Sequence, residues 1–379
     1  MVGLPHFSLL RVIGRGSFGK VRIVERRDTK KLYALKYISK VDCVKMGGLK
    51  NVLRERLLLE RLDHPLLVNL RFAFQDTDFL YLVVDLMLGG DLRFHISRKH
   101  FVESTVRFWI AEIACALRYL HRKGIAHRDI KPENAVLSYD GHVHLTDFNI
   151  ATKVDPGNLL YTQCGTLEYQ APEMLAGCGY GTSVDWWSLG IMFYECIYGV
   201  RPFSRHNPED VREAILYGAV RHPTSDNFTV SAECRDAINS LLERDLNKRI
   251  GCGRPNRGLR NNVMHLSDHL YFSGMDWARL QRKEVKPPFV PGATCDNFNP
   301  ALDIEELLLE KNPLDIRSRT RVTLAKMGCY SEIQLIDDKF KDFDYLQTTN
   351  LFTATVSAFA SATITSTTAA AAAAAAATT

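Results

Sequence analysis

His127-Arg128-Asp129-Ile130-Lys131-Pro132-Glu133-Asn134 and the later tripeptide Asp147-Phe148-Asn149 are the most informative segments of this 379-residue sequence. They combine carboxylates, an amide and a lysine within two short segments. Carboxylate and amide oxygens are hard ligands that suit Mg²⁺, which keeps its other coordination positions for phosphate and water. The two segments therefore predict a site where a metal-bound phosphate group is handled.

Each residue type in these segments meets a requirement of phosphoryl transfer from ATP. Asp129 can accept a hydrogen bond from a substrate hydroxyl and orient it toward the γ-phosphate. Lys131 can neutralise the charge that grows on that phosphate. Asn134 and Asp147 can hold Mg²⁺. A chance Asp-x-Lys-x-x-Asn in a turn is the alternative, and it weakens as further motifs appear in the expected order.

A glycine-rich segment runs from Gly14 to Val21, between two strand-like patterns. Its glycines could bend a hairpin whose backbone amides cover phosphate groups. A dinucleotide-binding loop is the alternative, but it requires a helix directly after Gly19. Residues 21–24 continue as a strand, so the sequence disfavours that alternative.

Lys36 closes the next strand-like segment, Tyr33-Ala34-Leu35-Lys36, which matches a pattern that places a lysine near nucleotide phosphates. Its proposed partner is Glu55, on a helical stripe at residues 49–62. The pair would hold Lys36 against the α- and β-phosphates. Taken alone, Glu55 could equally be a surface carboxylate.

The composition, 46% hydrophobic residues with a net charge of +5 spread along the chain, indicates a large core. It gives no argument for nucleic acid as a partner. We identify no signal peptide and no membrane anchor. Nine cysteines without a C-x-x-C pair predict neither a zinc site nor a disulfide framework. A reduced setting follows, so we expect a cytoplasmic protein, with the nucleus as an alternative.

Residue patterning predicts an α+β protein of two lobes. Alternating apolar residues at 7–38 and a strand signal at 66–86 predict a small antiparallel β-sheet lobe with one main helix. The clearest helices of a larger, mostly helical lobe are predicted at 105–121 and 183–198. Residues 286–291, rich in proline, are predicted to form an extended strap.

With all these motifs in order, residues 7 to about 280 resemble a eukaryotic protein kinase. Lys131 and Thr166 resemble those of serine/threonine kinases. The resemblance implies a two-lobed kinase fold, protein substrates, and ATP with Mg²⁺, or alternatively Mn²⁺. It implies catalytic roles for Asp129, Lys131, Lys36 and Glu55, and ATP contacts at Gly14, Arg15, Gly16, Ser17, Phe18, Gly19, Val21, Ala34, Lys36, Val84, Asp85, Met87, Asp91 and Val136. A pseudokinase scaffold is the rival hypothesis, which the retained catalytic residues disfavour.

Two structural pairs also follow from the kinase resemblance. Asp185 resembles the anchor of the catalytic loop, and Arg249 resembles the partner of Glu173 in Ala171-Pro172-Glu173. Substitutions at these positions are expected to reduce stability as much as activity.

The C-terminal part is similar to the tail of AGC kinases, and several phrases resemble the YANK subfamily, including 85–92, 141–151, 295–298 and 305–307. In that tail the pair Phe340 and Phe343 is implied to dock in cis on the small lobe and brace the helix of Glu55; a plain amphipathic segment is the alternative. The fixed charge of Asp344 would replace a phosphate. We thus expect a small lobe at 1–86, a large lobe at 87–280, a tail at 281–346 and a disordered Ala/Thr-rich segment at 347–379.

Asn149 stands where most kinases have glycine, a departure that the YANK subfamily shares. Asn is the non-glycine residue that reaches positive φ at least cost. We hypothesise that Asn149 stiffens this segment and disfavours the inactive form in which Asp147 points out of the site. Metal binding by Asp147 is expected to survive.

Thr162 lies where many AGC kinases are phosphorylated, and Arg128 could pair with that phosphate. Thr152 and Asn51 occupy positions where basic groups often complete the phosphate pocket. The sequence therefore predicts a modest or absent contribution from phosphorylation of Thr162.

Substrate preference stays open in the sequence. Three carboxylates could favour basic residues near the phosphoacceptor, and two arginines could instead receive acidic ones. The carboxylates are Glu133, Glu213 and Asp91, and the arginines are Arg201 and Arg205.

Overall fold

Five strands of a six-stranded antiparallel sheet form the small lobe in the computed structural model, which describes residues 2–16, 19–155, 157–223, 229–252, 265–292 and 328–346. Ser17 and Phe18, the segments at 295–298 and 305–307, and residues 347–379 lie outside the described residues. In sheet order the strands are β1 (Phe7–Gly16), β2 (Gly19–Arg26), β3 (Leu32–Ser39), β5 (Phe79–Val84) and β4 (Leu70–Gln75).

The β1–β2 hairpin carries the glycine-rich loop, with Gly16 paired to Gly19 across the turn. A Cβ on Gly19 would lie 1.8 Å from the carbonyl oxygen of Tyr37 on β3. Glycine is thus required there for the strands to approach. The strand after Gly19 excludes a dinucleotide-binding loop of the helical type.

The two faces of this sheet bury different residues. One face carries an aromatic cluster in which Phe7, Phe72 and Tyr33 pack edge to face. The other joins the helices α1 (Lys40–Lys45) and α2 (Leu49–Leu59). The sequence missed α1, a single short turn in which the Ser39 hydroxyl accepts the N–H of Asp42. The predicted main helix is present as α2 but ends three residues earlier than expected.

The large lobe is mostly helical, as predicted. Its helices are α3 (Leu92–Ile96), α4 (Glu103–Arg122), α5 (Pro172–Leu175), α6 (Ser183–Tyr198), α7 (Pro208–Tyr217), α8 (Ala232–Leu241) and α9 (Trp277–Gln281). Every residue of α6 from Val184 onward is buried, which confirms a core helix. In the part of the chain that the structure describes, no helix is long and apolar enough to cross a membrane.

Short strands position the catalytic segments at the top of this lobe. They are β6 (Ile125–Ala126), β7 (Ala135–Leu137), β8 (Val143–Leu145) and β9 (Thr152–Lys153), and they pair as β6 with β9 and β7 with β8. The first catalytic segment lies between β6 and β7, and the second between β8 and β9. The two ladders therefore bring residues 127–134 and 147–149 together.

The C-terminal segment returns to the small lobe. Residues 286–291 form no helix or strand, as expected, and Phe289 packs against Phe101 and Trp109. Beyond them come α10 (Tyr330–Lys339) and β10 (Phe343–Asp344), which extends the sheet next to β4. The α+β, two-lobed organisation is confirmed.

Candidate active site

Lys36 forms an ion pair with Glu55 that links β3 to α2. Its Nζ lies 2.8 Å from Oε1 and 2.9 Å from Oε2 of Glu55. Burial alone would lower the pKa of Lys36, but the charges of Glu55 and Asp147 outweigh it and hold that pKa above its ordinary value. Lys36 is therefore a permanent cation that faces Asp147, at the position expected for a phosphate contact.

Asp129 is the centre of a second network. Its Oδ2 lies 2.8 Å from Nζ of Lys131 and accepts a hydrogen bond from the Asn134 amide at 2.9 Å. Its Oδ1 accepts weaker hydrogen bonds from the backbone N–H and the hydroxyl of Thr166, both at 3.3 Å. Lys131 also donates to the Thr166 hydroxyl at 3.0 Å. The carboxylate is thus fixed by a cation, an amide and the activation segment.

The buried carboxylate of Asp185 holds the backbone of this catalytic segment. It accepts the N–H groups of His127 at 2.9 Å and Arg128 at 2.8 Å, and it contacts His121. Burial would raise the pKa of Asp185, but the hydrogen bond from His121 and the neighbouring donors lower it overall. An ionised Asp185 can therefore hold Arg128 at its positive φ of 68°.

Asn134 and Asp147 fit the requirements of a divalent cation. The Asn134 amide nitrogen donates to Asp129, which leaves its oxygen as the ligand atom. The Asp147 carboxylate has no hydrogen-bond partner among the described residues, and it lies near the Lys36–Glu55 pair. Within the described ranges no group of three or more His, Cys, Asp or Glu side chains could hold a metal. Asn134 and Asp147 offer oxygen ligands of the kind that hard divalent cations prefer.

The expected nucleotide contacts line the junction of the two lobes. In the small lobe, Val21 on β2 pairs with Lys36, and Ala34 on β3 pairs with Val84 on β5. Val136 on β7, in the large lobe, forms an isolated β-bridge with Asp91. These apolar residues of the two lobes are the ones expected to contact an adenine ring.

Two of the residues expected near the nucleotide are acidic, and the side chain of the first, Asp85, is bound within the small lobe. Its carboxylate pairs with Arg71 at 2.7 and 2.8 Å, and its N–H donates to the Asn69 carbonyl. Only its backbone carbonyl remains for a base. The Asp91 carboxylate caps α3 by accepting the Phe94 N–H at 2.7 Å, and burial raises its pKa. Met87 is half-buried in the linker between the lobes.

The predicted Glu173–Arg249 pair is present in the large lobe. Arg249 donates to both carboxylate oxygens, at 2.7 and 2.9 Å, and its side chain is fully buried. Such a two-pronged buried pair fixes the end of the activation segment. Its loss would leave an uncompensated charge in the core.

The structure corrects the argument for Asn149. In this segment the positive φ belongs to Asp147 (62°), whereas Asn149 is not among the described non-glycine residues with positive φ. Position 149 therefore does not need glycine-like freedom in this conformation. Phe148 is buried against the His127 ring, and Oδ1 of Asn149 is buried without a hydrogen-bond partner among the described residues.

Arg128 has partners other than the expected phosphate of Thr162. Its guanidinium donates to the Ile150 carbonyl and to the Tyr180 hydroxyl at 3.1 Å. The Tyr180 hydroxyl in turn donates to the Thr162 carbonyl, while the Thr162 side chain is exposed. A tyrosine thus links Arg128 to the backbone of Thr162.

Sequence reasoning missed two residues of this region, Tyr180 and Arg93. Tyr180 has no motif that would reveal it. Arg93 follows Asp91 by two residues, and its guanidinium binds Glu133 and Glu195. The sequence did carry a signal for Arg93, because this cation lies two residues after Asp91, which was itself considered for recognition of basic substrate residues.

Comparisons with known proteins bear on this geometry. The family described as Protein kinase domain matches residues 7–272. Serine/threonine-protein kinase 32B of Homo sapiens is 41% identical over 323 residues, covering 83% of this chain and 74% of that protein. Serine/threonine-protein kinase 32C of Homo sapiens is 38% identical over 353 residues, covering 91% and 69%. A RAC family serine/threonine-protein kinase homolog of Dictyostelium discoideum is 39% identical over 293 residues, covering 76% and 63%.

Proposed function

The chain belongs to the protein kinase family, and from that premise we propose that it transfers the γ-phosphate of ATP to serine and threonine hydroxyls of protein substrates. The resemblance to AGC kinases and their YANK subfamily is confirmed by the same relatives. The observation that carries the proposal is the Asp129 carboxylate, held between Lys131, Asn134 and Thr166.

In the proposed reaction, Asp129 accepts the proton of the substrate hydroxyl as its oxygen bonds to the γ-phosphorus. The bond between that phosphorus and the β,γ-bridging oxygen breaks, and ADP leaves. Lys131 offsets charge on the transferring group, and Lys36, held by Glu55, binds the α- and β-phosphates. Because these side chains are already hydrogen-bonded in place, little reorganisation is needed at the moment of transfer.

A divalent cation would be held by Asn134 and Asp147, and we propose Mg²⁺, with Mn²⁺ as the alternative. When bound, it would neutralise negative charge on the phosphate groups. The half-buried carboxylate of Asp147 supports this assignment, since it lacks a hydrogen-bond partner within the described ranges.

We further propose that the tail docks in cis and braces α2. Arg56 of α2 donates to the Lys341 carbonyl at 2.6 and 3.0 Å, and the Gln75 amide donates to the Phe340 carbonyl at 2.8 Å. Phe340 is buried, and Phe343 pairs with Ala73 on β4. These contacts support a tail that acts on the helix of Glu55. The role of Asp344 as a fixed substitute for phosphate stays a prediction.

A pseudokinase scaffold is the competing function, and one experiment separates the two. ATP affinity and transfer of radiolabelled phosphate to a peptide mixture are measured on the same wild-type preparation. The proposal expects metal-dependent binding together with turnover into phosphoserine and phosphothreonine. Tight ATP binding without transfer would favour the scaffold.

A further inference from the structure

Arg93 on α3 lies between two acidic side chains beside the catalytic segment. Its Nη1 and Nη2 donate to the two carboxylate oxygens of Glu195 at 2.8 and 3.0 Å. Its Nε donates to Glu133 at 2.9 Å, and Nη2 also donates to the Tyr169 hydroxyl at 2.7 Å. All three guanidinium nitrogens are therefore used within the chain.

This cluster borders the place where a phosphoacceptor must lie. Glu133 precedes Asn134, whose amide binds Asp129. Tyr169 follows closely after Thr166, which binds Asp129 from the other side. An acidic pocket so close to the catalytic carboxylate would select a cationic substrate residue if its charge were free.

The negative charge of this pocket is not available to a substrate, because Glu195 requires a counter-ion within the protein. Its side chain is 4% exposed, whereas Arg93 is 32% and Glu133 is 42% exposed. A buried carboxylate is costly without a partner, and the two-pronged bond from Arg93 supplies one. Arg201 adds a second guanidinium, 2.9 Å from Glu168 and 3.9 Å from Glu195.

We infer that Arg93 occupies the acidic pocket formed by Glu133, Glu195 and Tyr169. It takes the place that a basic substrate residue would otherwise fill. The enzyme then does not select basic residues beside the phosphoacceptor and accepts neutral or acidic sequences there. Arg93 is a specificity-determining residue in this account. The inference rests on the proposed kinase activity and names its substrate class.

The other carboxylates considered for basic substrates do not replace this pocket. The Asp91 carboxylate is used as the cap of α3. Glu213 is exposed on α7, outside the hydrogen-bonded cluster. Of the alternatives left open by the sequence, the structure favours tolerance of acidic residues.

The test is a positional peptide library phosphorylated by the full chain, with Asp129→Asn as the blank. The wild type is expected to show no selection for Arg or Lys at any position. Arg93→Met removes the charge and keeps an unbranched side chain, and it is expected to gain about tenfold selection for Arg at one position. The double variant Arg93→Met/Glu133→Gln is expected to lose most of that gain. Arg98→Met is the matched control, since Arg98 lies just beyond the same helix and covers the Phe94 ring instead.

Strong basic selection by the wild type would overturn the inference, as would a folded, active Arg93→Met enzyme with unchanged selection. Should Arg93→Met fail to fold, Glu133→Gln in the wild-type background decides, because Glu133 is exposed at the surface. If Glu133→Gln has the same peptide profile as the wild type, the inference is supported. If Glu133→Gln loses a selection for basic residues that the wild type shows, the inference is refuted. If the wild type phosphorylates no peptide while it binds ATP, the proposed function fails, and this inference fails with it.

Discussion

Glu55 and Arg56 are adjacent residues of α2 that bind two different parts of the chain. Glu55 binds Lys36 in the candidate active site, and Arg56 binds the Lys341 carbonyl in the tail. The guanidinium of Arg56 also lies 5.7 Å from the centre of the Phe340 ring. The position of the tail and that of the Lys36–Glu55 pair are therefore coupled through a single turn of helix.

Arg56→Met is expected to reduce turnover several-fold and to lower the free energy of unfolding by about 2 kcal/mol, because it removes the charge-assisted hydrogen bonds from a buried guanidinium to the Lys341 carbonyl. Steady-state kinetics and urea unfolding measure the two effects. The matched control is Arg54→Met on the same helix, since Arg54 has no tail contact among the described residues. Equal behaviour of the two variants would contradict the coupling.

His64 predicts a pH dependence of stability. Burial, opposed by the charge of Asp63, lowers the pKa of His64 to about 4, and its Nδ1 accepts the Leu66 N–H. The His64 imidazole of the unfolded chain therefore binds a proton near pH 6.5, whereas that of the folded chain binds it only near pH 4. Stability falls as pH drops through this window, by about 3 kcal/mol from His64, and this contribution is constant above it.

This pH dependence is measured by urea unfolding between pH 4 and 7.5. His64→Gln is expected to show a shallower loss than the wild type, whereas His206→Gln, at an exposed site, is expected to parallel the wild type. Parallel curves for the wild type and His64→Gln would refute the assignment.

Asn149→Gly is expected to increase affinity for inhibitors that select the form with Asp147 turned out of the site. The reason now differs from the initial one: φ at position 149 is not positive here, so glycine acts by making other backbone conformations accessible. Asn149→Ala removes the side-chain amide, whose Oδ1 is buried, but keeps the backbone restricted, and it is expected to leave affinity nearly unchanged. Equal affinities of wild type and Asn149→Gly would count against the hypothesis.

Thr162→Ala is expected to change turnover by less than about twofold, because the contact of Arg128 with this region passes through Tyr180 to a backbone carbonyl. Tyr180→Phe removes that link and is expected to cost more. Turnover of both variants is measured with thermal unfolding as the check on folding. Abolished activity in folded Thr162→Ala would show that this prediction is wrong.

The sequence predicted those features whose signals are local or motif-based. The apolar run of α6 and the glycine spacing before Val21 sufficed for the core helix and the hairpin. It missed the pairing of β10 with β4 and the bonds of Arg93 to Glu195, because each joins residues far apart in the chain. It also misplaced the positive φ of this segment, which belongs to Asp147 and not to residue 149. The domain limits at 86, 280 and 346 and a cytoplasmic or nuclear location stay predictions.

The central claim, that Asp129 is the base of an active serine/threonine kinase, is tested most directly by comparing kcat/KM of the wild type and Asp129→Asn on one peptide. Asn keeps the size of the side chain but replaces one acceptor oxygen of Asp129 by an NH2 donor and cannot take the proton. The account predicts a loss of about 10²-fold or more for the variant, with ATP affinity retained. Equal kcat/KM values for the two proteins would contradict it.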